Sequence, residues 1–485
     1  MSPVLLLDVV GLTPDLLRHM PHLRALSEKG FATELETVLP AVTCTVQSTF
    51  LTGRMPREHG IVGNGWYFRD LGEVFLWRQH NRLVQGEKVW EAARREHPGL
   101  RVANVCWWYA MGMTTDVTVT PRPVYHADGR KSPDCYTRPP ELRDRLVDEL
   151  GEFPLFTYWG PTADITSSAW IVGAARLLMP EHDLTMVYVP HLDYDLQRFG
   201  PDSPEAVAAA RELDAVLGPL LDDARRSETE VVVVSEYGIR DAHRVVHVNR
   251  ALREAGLLEV HHNATGELLD PWTSRAFAVA DHQVAHVYVT DPADVPAVRE
   301  LLAVLDGVAE VLDRAGQAAV GLDHERSGDL VLVADPDAWF SYYYWLDDAL
   351  APDFARSVEI HKKPGYDPAE LFLDPQDPWV KARAASTLVR KKIGLRYAMS
   401  VVPLDPAPVR GSHGRTDGDP SHGPVVLASR GAHPGRPLHA TEVFGLVLDR
   451  LLAASTEHST PGSGDPTSGP RVSEGHSDLA TARRE

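Results

Sequence analysis

The sequence predicts an α/β protein with a mostly parallel central sheet flanked by helices. Short β-branched runs alternate with helical stretches, several of those runs are continuously apolar, and the 485-residue chain is 44% hydrophobic. Continuous apolar runs are typical of strands that helices cover on both faces. Strands that alternate with helices indicate a parallel sheet, and this length leaves room for one large sheet with an insertion.

The predicted strands are β-branched runs bounded by polar residues. They are Val4–Val10, Val102–Cys106, Leu184–Val189, Glu230–Ser235, Ala285–Thr290, Asp329–Ala334 and Pro424–Ala428. Helices are predicted between them, for example Pro204–Ala224 and Val295–Leu305. We expect one domain over residues 1–453 with a smaller inserted subdomain at approximately 250–335. Residues 454–485 are rich in Ser, Thr, Gly and Pro, which predicts a disordered tail.

Composition excludes several classes of protein. The chain has 48 Lys and Arg against 68 Asp and Glu, a net charge of −20, which excludes a binder of nucleic acid polymers. Its three cysteines, Cys44, Cys106 and Cys135, are too few for a disulfide framework and fit a reducing compartment. We see no signal peptide and no apolar run near the ~20 residues of a membrane span. The sequence therefore predicts a soluble, cytoplasmic protein without a membrane partner.

Polar side chains follow several of the predicted strands. Asp8 lies near the end of the first strand, Asp193 and Glu236 follow two later ones, and His413 precedes the last. In parallel sheets the ligand site lies at the carboxyl ends of the strands. Carboxylate and imidazole groups gathered at one edge are typical of a divalent metal site. Each residue also has an ordinary interpretation alone, since an Asp after a strand is commonly a turn former.

The most specific segment spans residues 37–64 and reads TVLPAVTCTVQSTFLTGRMPREHGIVGN. It resembles the nucleotide pyrophosphatase/phosphodiesterase branch of the alkaline phosphatase superfamily. That branch has a catalytic Thr or Ser at a helix start, ten residues before the Gly of a Thr-Gly pair. Here Gly53 assigns the position to Thr43. A hydroxyl at a helix N-terminus lies where phosphate is favoured, although Thr43 is also a candidate helix cap and Cys44 a rival nucleophile.

The resemblance implies an alkaline-phosphatase-like fold and two divalent metal ions, usually zinc. The metal ligands that it implies are Asp8, Thr43, Asp193, Gln197, Glu236, Tyr237 and His413. Gln197 and Tyr237 stand where the family has His, and Glu236 stands where it has Asp. Imidazole suits zinc, whereas carboxylate and amide oxygens suit Mg²⁺, Mn²⁺ or Ca²⁺. A different metal pair, a single metal ion, or substitution by nearby histidines all follow as possibilities.

Five other histidines are candidates for that substitution. They are His243, His247, His282, His286 and His361. The first four form two pairs at i, i+4 spacing, which binds metal when both residues lie on one helical face. Each pair also has an ordinary interpretation, as helix surface or as a loop beside a strand.

Substrate contacts are less evident in the sequence. Gln47 and Asn64 are the candidate substrate-binding residues, and Lys363 is among several cations that are candidates for phosphate contact. The resemblance implies metal-dependent hydrolysis of phosphodiesters or nucleotide pyrophosphates, small phosphorylated substrates, through a Thr43 phospho-enzyme. Two alternatives are a metal-depleted, non-hydrolytic binding or accessory relative, and a phosphonate hydrolase or phosphomutase on the same scaffold.

Overall fold

The computed structural model describes residues 3–127, 131–392 and 399–453, so the predicted tail at 454–485 lies outside the described residues. The strands are β1 Val4–Val9, β2 Phe31–Glu36, β3 Gly65–Phe68, β4 Glu73–Leu76, β5 Val102–Val105, β6 Val117–Pro121, β7 Val124–Tyr125, β8 Lys131–Ser132, β9 Cys135–Arg138, β10 Leu184–Val189, β11 Glu230–Val234, β12 Arg240–Asp241, β13 Arg244–Val246, β14 Val260–Asn263, β15 Gly266–Leu269, β16 Ala276–Asp281, β17 Val284–Val289, β18 Val308–Leu312, β19 Leu330–Ala334, β20 Ala338–Phe340, β21 Gly411–Ser412, β22 Val425–Ala428 and β23 Leu438–His439. The helices are α1 Pro14–Leu17, α2 Pro21–Ser27, α3 Thr43–Thr52, α4 Pro56–His59, α5 Val89–Glu96, α6 Leu142–Leu150, α7 Ile165–Leu178, α8 His191–Phe199, α9 Pro204–Arg226, α10 Val248–Glu254, α11 Val295–Ala303, α12 Arg314–Ala319, α13 Val380–Lys392 and α14 Glu442–Ala453.

The large sheet has the strand order β23-β2-β22-β11-β1-β10-β5-β6-β9. Its centre is parallel, because β1 pairs in parallel with both β10 and β11, and β5 and β6 continue in the same direction. Helices α7 and α9 pack beside β10 and β11, and α14 packs beside β1. This arrangement confirms the predicted α/β class and the sheet flanked by helices. The carboxyl ends of β1, β10 and β11 therefore lie together at one edge.

The sheet is mixed toward its margins. The last predicted strand is present as β22, but it runs antiparallel to both of its neighbours, β11 and β2. On the other side, β9 is antiparallel to β6. The parallel pairing that the sequence predicts is thus confined mainly to the central strands, which position the site.

A second sheet holds two of the predicted strands. It has the order β16-β17-β19-β18 and is antiparallel, and its β17 and β19 correspond to the runs predicted at Ala285–Thr290 and Asp329–Ala334. A separate hydrophobic cluster that includes Phe277, Tyr288 and Trp345 packs around it. These strands fall within the range predicted for the inserted subdomain, and the domain boundaries themselves stay a prediction.

Helix α3 is buried along its whole length although six of its ten residues are polar. The Ser48, Thr49 and Thr52 hydroxyls each donate to the carbonyl four residues earlier, at 2.7, 3.1 and 2.7 Å. These bonds satisfy the buried hydroxyls inside the helix itself. The helix ends at Gly53, whose φ of 65° is the left-handed conformation that favours glycine. In the described part of the chain, no helix combines the length and the apolar character that crossing a bilayer requires.

Candidate active site

The carboxyl edge of the central strands brings together the acidic residues that the sequence singled out. Asp8 lies on β1, Glu236 follows β11, and Asp193 lies in the first turn of α8 directly after β10. Thr43 is the first residue of α3, after Val42 in an extended conformation. All four side chains are buried, so this edge is a pocket of polar groups with little contact with solvent.

A hydrogen-bonded chain joins the Thr43 hydroxyl to Asp193 through Tyr237. The Thr43 Oγ1 atom and the Tyr237 hydroxyl lie 3.1 Å apart, and the Tyr237 hydroxyl donates to Asp193 Oδ1 at 3.3 Å. A tyrosine has one hydroxyl proton, so when it donates to Asp193 the Thr43 hydroxyl is the donor to Tyr237. Tyr237 thereby fixes the direction of the Thr43 hydroxyl.

Gln47 holds Asp8 from α3. Its side-chain nitrogen donates to Asp8 Oδ2 at 3.0 Å, and its oxygen accepts from the Trp108 backbone N–H at 2.9 Å. Asp8 Oδ1 and both carboxyl oxygens of Glu236 are buried, and among the described residues they have no hydrogen-bond partner. Burying a carboxylate oxygen without a hydrogen-bond donor costs free energy, so the Asp8 and Glu236 carboxyl groups need either protons or a cation to neutralise them.

Gln197 and Tyr366 form a second hydrogen-bonded chain that ends at Asp193. The Gln197 side-chain nitrogen donates to Asp193 Oδ2 at 2.7 Å, and the Tyr366 hydroxyl donates to Gln197 Oε1 at 3.0 Å. Both Asp193 oxygens therefore accept hydrogen bonds from neutral side chains. Gln197 presents its nitrogen, not its oxygen, to the carboxylate.

Four rings form a stack that begins at Tyr237, the partner of Thr43. Tyr237 lies on His413 with ring centres 3.5 Å apart, His413 lies 3.7 Å from His282, and His282 lies 3.6 Å from Tyr366. The His413 Nδ1 atom is 2.8 Å from the Ala41 carbonyl, which assigns the proton to that nitrogen, and its Nε2 atom has no protein partner in the described chain. His413 therefore lies at the site, as predicted, with a free lone pair.

Of the five additional histidines, only His282 reaches this cluster within the described structure. His286 bonds the Val62 carbonyl and the Gly328 N–H, His247 bonds the Ser341 hydroxyl, and His243 is exposed beside Asp241. His361 is also exposed. The helical i, i+4 interpretation is wrong for both pairs, because His243 and His247 flank β13, while His282 lies in the turn before β17 and His286 lies on β17.

Burial dominates the electrostatics of the acidic cluster. It raises the pKa of Asp8 to about 7, against the opposing effect of the neighbouring Glu236 and Gln47 side chains. It also raises the pKa of Asp193 to about 7, with a further contribution from the charge of Glu236. The pKa of Glu236 is raised well above its ordinary value by burial and then by Asp8, and burial holds the pKa of His413 well below its ordinary value. Without a cation, the pocket disfavours charge of either sign.

The side chains do not fit the pair of zinc ions that the resemblance implies. Across residues 3–127, 131–392 and 399–453, no three His, Cys, Asp or Glu side chains are grouped so that they could hold a metal ion. At the two positions where the family has imidazole, Gln197 and Tyr237 instead donate hydrogen bonds to Asp193. Each zinc ion needs three or four nitrogen, sulfur or oxygen ligands around one point. These side chains do not supply two such sets of ligands.

Asn64 ties the start of α3 to the second sheet. Its side-chain oxygen accepts from the Cys44 N–H at 3.0 Å, and its side-chain nitrogen donates to Asp281 Oδ1 at 3.0 Å. Its backbone N–H donates to the other Asp281 oxygen at 2.7 Å. In this arrangement Asn64 positions the first turn of α3, and its role as a substrate contact stays a prediction.

Replacing Asn64 with alanine is expected to lower the free energy of unfolding by about 1–3 kcal/mol, because it leaves the Cys44 N–H buried without a partner and removes one of the donors to Asp281. We also expect a lower kcat, since the first turn of α3 loses its anchor. Urea titration and initial rates measure the two effects. Asn263→Ala, at an exposed asparagine whose oxygen accepts only from the exposed Thr265, is the control and is expected to cost less than about 1 kcal/mol. Equal stabilities for the two variants would contradict the assigned role.

Cys44 is a poor nucleophile in this environment. Its side chain is fully buried, and burial together with the charge of Asp281 raises the pKa of its thiol well above the ordinary value. The reactive form of cysteine is the thiolate, which such a shift suppresses. Thr43, with its hydroxyl held by Tyr237, is the stronger candidate at the start of α3.

Sequence reasoning did not identify Tyr366 or Asp281. Tyr366 lies in the segment HKKPGYD, which drew attention for His361 and Lys363, and its partner Gln197 is 169 positions away in the chain. Asp281 lies directly before His282, which was singled out as a metal candidate. Only the fold shows that Tyr366 contacts Gln197 and that Asp281 contacts Asn64.

Comparison with known proteins places the chain in a family. The family of type I phosphodiesterases / nucleotide pyrophosphatases matches residues 4–367. An uncharacterized pyrophosphatase/phosphodiesterase of Schizosaccharomyces pombe is 24% identical over 268 residues. That match covers 49% of this chain and 45% of the yeast protein, so this chain corresponds to less than half of the length of that relative.

Solved structures share the fold. Phosphonoacetate hydrolase from Sinorhizobium meliloti in complex with phosphonoacetate has a TM-score of 0.59 at 17% identity, covering 93% of this chain and 96% of that one. The inactive form of murine ectonucleotide pyrophosphatase / phosphodiesterase 5 in complex with AMP has a TM-score of 0.54 at 14% identity, covering 93% and 95%. At these identities the likeness establishes the alkaline-phosphatase-like fold alone. Together with the match over residues 4–367, which includes the segment around Thr43, the conclusion is that this chain belongs to the type I phosphodiesterase / nucleotide pyrophosphatase family.

Proposed function

We propose that this protein hydrolyses small phosphorylated compounds, namely phosphodiesters or nucleotide pyrophosphates, with Thr43 as the nucleophile. One observation carries the proposal: Thr43 begins a buried helix at the acidic edge of the sheet, with its hydroxyl held by Tyr237 at 3.1 Å. The first-turn N–H groups of a helix lack intrahelical acceptors and favour phosphate oxygens. Membership of the family supports the same class of reaction.

The chain's own groups suit an in-line displacement. Because the Thr43 hydroxyl proton points toward Tyr237, a lone pair on Oγ1 is available to phosphorus. A bond from Oγ1 to phosphorus forms as the bond from phosphorus to the leaving oxygen breaks, and that oxygen takes the electron pair. The Thr43 proton passes to the Tyr237 oxygen as the Tyr237 proton passes to Asp193. Water then attacks phosphorus in the phospho-enzyme, the bond to Oγ1 breaks, and the proton held at Asp193 returns through Tyr237 to Oγ1, while the proton that water loses balances the charge of the released leaving group. The buried pocket limits competing water around the reacting atoms.

A divalent cation is part of this proposal, in keeping with the family. Oxygen-bearing side chains outnumber imidazoles around Thr43, which favours Mg²⁺, Mn²⁺ or Ca²⁺ over zinc. We also propose the domain division into residues 1–453 with an insert at approximately 250–335, and a cytoplasmic location. The location has support from the three cysteines, which are all buried and free.

The second candidate is a non-hydrolytic relative that binds phosphorylated ligands. The observation that favours it is the lack of a three-ligand metal group among the described residues. A substrate panel separates the candidates: bis(p-nitrophenyl) phosphate, ATP and phosphonoacetate, each with added Mg²⁺, Mn²⁺ or Zn²⁺. Turnover of the diester or of ATP is the expected result. Turnover of phosphonoacetate alone would favour a phosphonate hydrolase. A protein that hydrolyses none of the three compounds would contradict the proposed function.

A further inference from the structure

We infer that Tyr366 is a positioning residue for the nucleophile Thr43. It acts through two side chains, Gln197 and Asp193, and their hydrogen bonds end at Tyr237, the partner of the Thr43 hydroxyl. The role assigned to Tyr366 deepens the proposed function and rests on it for Thr43 as the nucleophile. The coupling between the two tyrosines, however, is a property of the folded chain that is measured without turnover.

The hydrogen bonds from Tyr366 to Asp193 have one consistent direction. A carboxylate only accepts, so the Gln197 amide faces Asp193 with its nitrogen, 2.7 Å from Oδ2. The Gln197 oxygen is then left for the Tyr366 hydroxyl, which donates to it at 3.0 Å. Without that hydroxyl a buried amide oxygen loses its donor, and Asp193 loses a partner of fixed orientation.

A second connection joins the same two tyrosines through stacked rings. The Tyr366 ring lies on His282 with centres 3.6 Å apart, and His282 lies 3.7 Å from His413. His413 lies on Tyr237 at 3.5 Å, with ring planes 6° from parallel. Together with the hydrogen bonds, these contacts close a circuit of buried side chains that begins at Tyr366 and passes through Tyr237. The Tyr237 ring therefore cannot turn away without breaking contacts on both connections.

The backbone around Tyr366 is fixed from both sides. The Tyr366 N–H donates to the Ala280 carbonyl at 2.9 Å. Lys363 and Asp367 flank Tyr366 in the chain and form a buried ion pair at 2.8 Å, and Lys363 also pairs with Glu370 at 2.7 Å. A buried ion pair adds little net stability compared with apolar packing. Here it closes the turn that carries Tyr366, which gives these charges a use in the site.

The proposed reaction links this geometry to the rate. The Thr43 proton passes through Tyr237 to Asp193, so a misaligned path slows the chemical step. Tyr366 lies at the far end of that path, beyond Asp193 and Gln197. Loss of its hydroxyl is therefore expected to lower kcat and to leave KM nearly unchanged.

The variant Tyr366→Phe, which removes a single oxygen, tests the inference in the full-length protein with bis(p-nitrophenyl) phosphate and Mg²⁺. We expect kcat to fall about tenfold and KM to change by less than about twofold. Tyr343→Phe is the matched control, because in the described chain the buried Tyr343 hydroxyl has no hydrogen-bond partner, and it is expected to keep the parent kcat. A kcat for Tyr366→Phe equal to that of the control, or a loss confined to KM, would overturn the inference.

A double-mutant cycle separates positioning from a general loss of packing. Because Tyr366 acts through Tyr237, adding Tyr366→Phe to Tyr237→Phe is expected to lower kcat by less than about a further twofold. Two losses that multiply would show that Tyr366 acts independently of Tyr237, which contradicts the inference.

A spectroscopic measurement distinguishes this inference from the proposed function. In protein isotope-labelled at the tyrosine ζ carbon, the magnetic resonance signal of Tyr237 is assigned from its absence in Tyr237→Phe. We expect that signal to shift in Tyr366→Phe and to stay in place in Tyr343→Phe. An unmoved signal would overturn the inference even in an active protein. A shifted signal in a protein that hydrolyses no phosphate ester supports the coupling of the two tyrosines and contradicts only the proposed function.

Discussion

Replacing Thr43 with alanine is expected to reduce kcat for diester hydrolysis by at least about 10³-fold, because the variant has no oxygen to attack phosphorus. Thr43→Ser keeps the hydroxyl and is expected to retain most of the activity. Its hydroxyl can still donate to Tyr237, which lies 3.1 Å from the native oxygen. Single-turnover measurements with bis(p-nitrophenyl) phosphate separate the chemical step from product release.

The control for this variant lies two residues away. Thr45 is in the same buried turn of α3, and its hydroxyl has no hydrogen-bond partner in the described structure. Thr45→Ala removes the same atoms from the same helix and is expected to change kcat by less than about tenfold. If both alanine variants lost activity equally, the effect would come from packing of the helix, and Thr43 would not be the nucleophile.

Replacing Lys363 with alanine is expected to lower the free energy of unfolding by about 3–5 kcal/mol. The Lys363 ammonium lies 2.8 Å from Asp367 and 2.7 Å from Glu370, and all three side chains are about 1% exposed. Removing the cation leaves two buried carboxylates without a counter-charge. Urea unfolding measures the loss, and Arg225→Ala, which breaks an exposed pair with Asp222, is expected to cost less than about 1 kcal/mol.

The same ion cluster corrects one prediction from the sequence. Lys363 was a candidate for phosphate contact, but its charge is already neutralised by two carboxylates inside the protein. Replacing Lys363, Asp367 and Glu370 together with apolar residues of similar size is expected to recover most of the stability that Lys363→Ala loses. A triple variant as unstable as the single one would show that the ammonium matters for something other than charge balance.

The sequence predicts the parts of this protein whose signals are local. Buried strands such as β1 and β10 are continuous apolar runs, and their predicted bounds differ from the observed ones by one residue or none. The segment around Thr43 carries a long motif in fixed register, so the helix start and the family follow from it. Each of these signals lies within a few tens of residues of the chain.

The contacts within the candidate site could not be predicted from the sequence, because they join residues that are distant along the chain. Whether Gln197 acts as a ligand or a donor depends on Tyr366, and the stacking of His413 depends on His282 and Tyr237. Spacing alone does not distinguish a histidine pair on one helical face from a pair that spans a turn and a strand, which is the arrangement of His282 and His286. The partner of each of these side chains depends on its orientation in the folded protein, and no local sequence pattern predicts that orientation.

The position of β22 has a consequence for the order in which the protein assembles during synthesis. This strand lies between β2 and β11 and pairs with both, yet it is made almost 400 residues after β2. Until residues 425–428 leave the ribosome, β11 has one unpaired edge, and β2 has no neighbour in the sheet because its other partner, β23, is made later still. His413 has by then only just been added to the chain. Nascent chains of this protein therefore carry exposed strand edges from the synthesis of β11 until that of β22, a period in which they depend on chaperones.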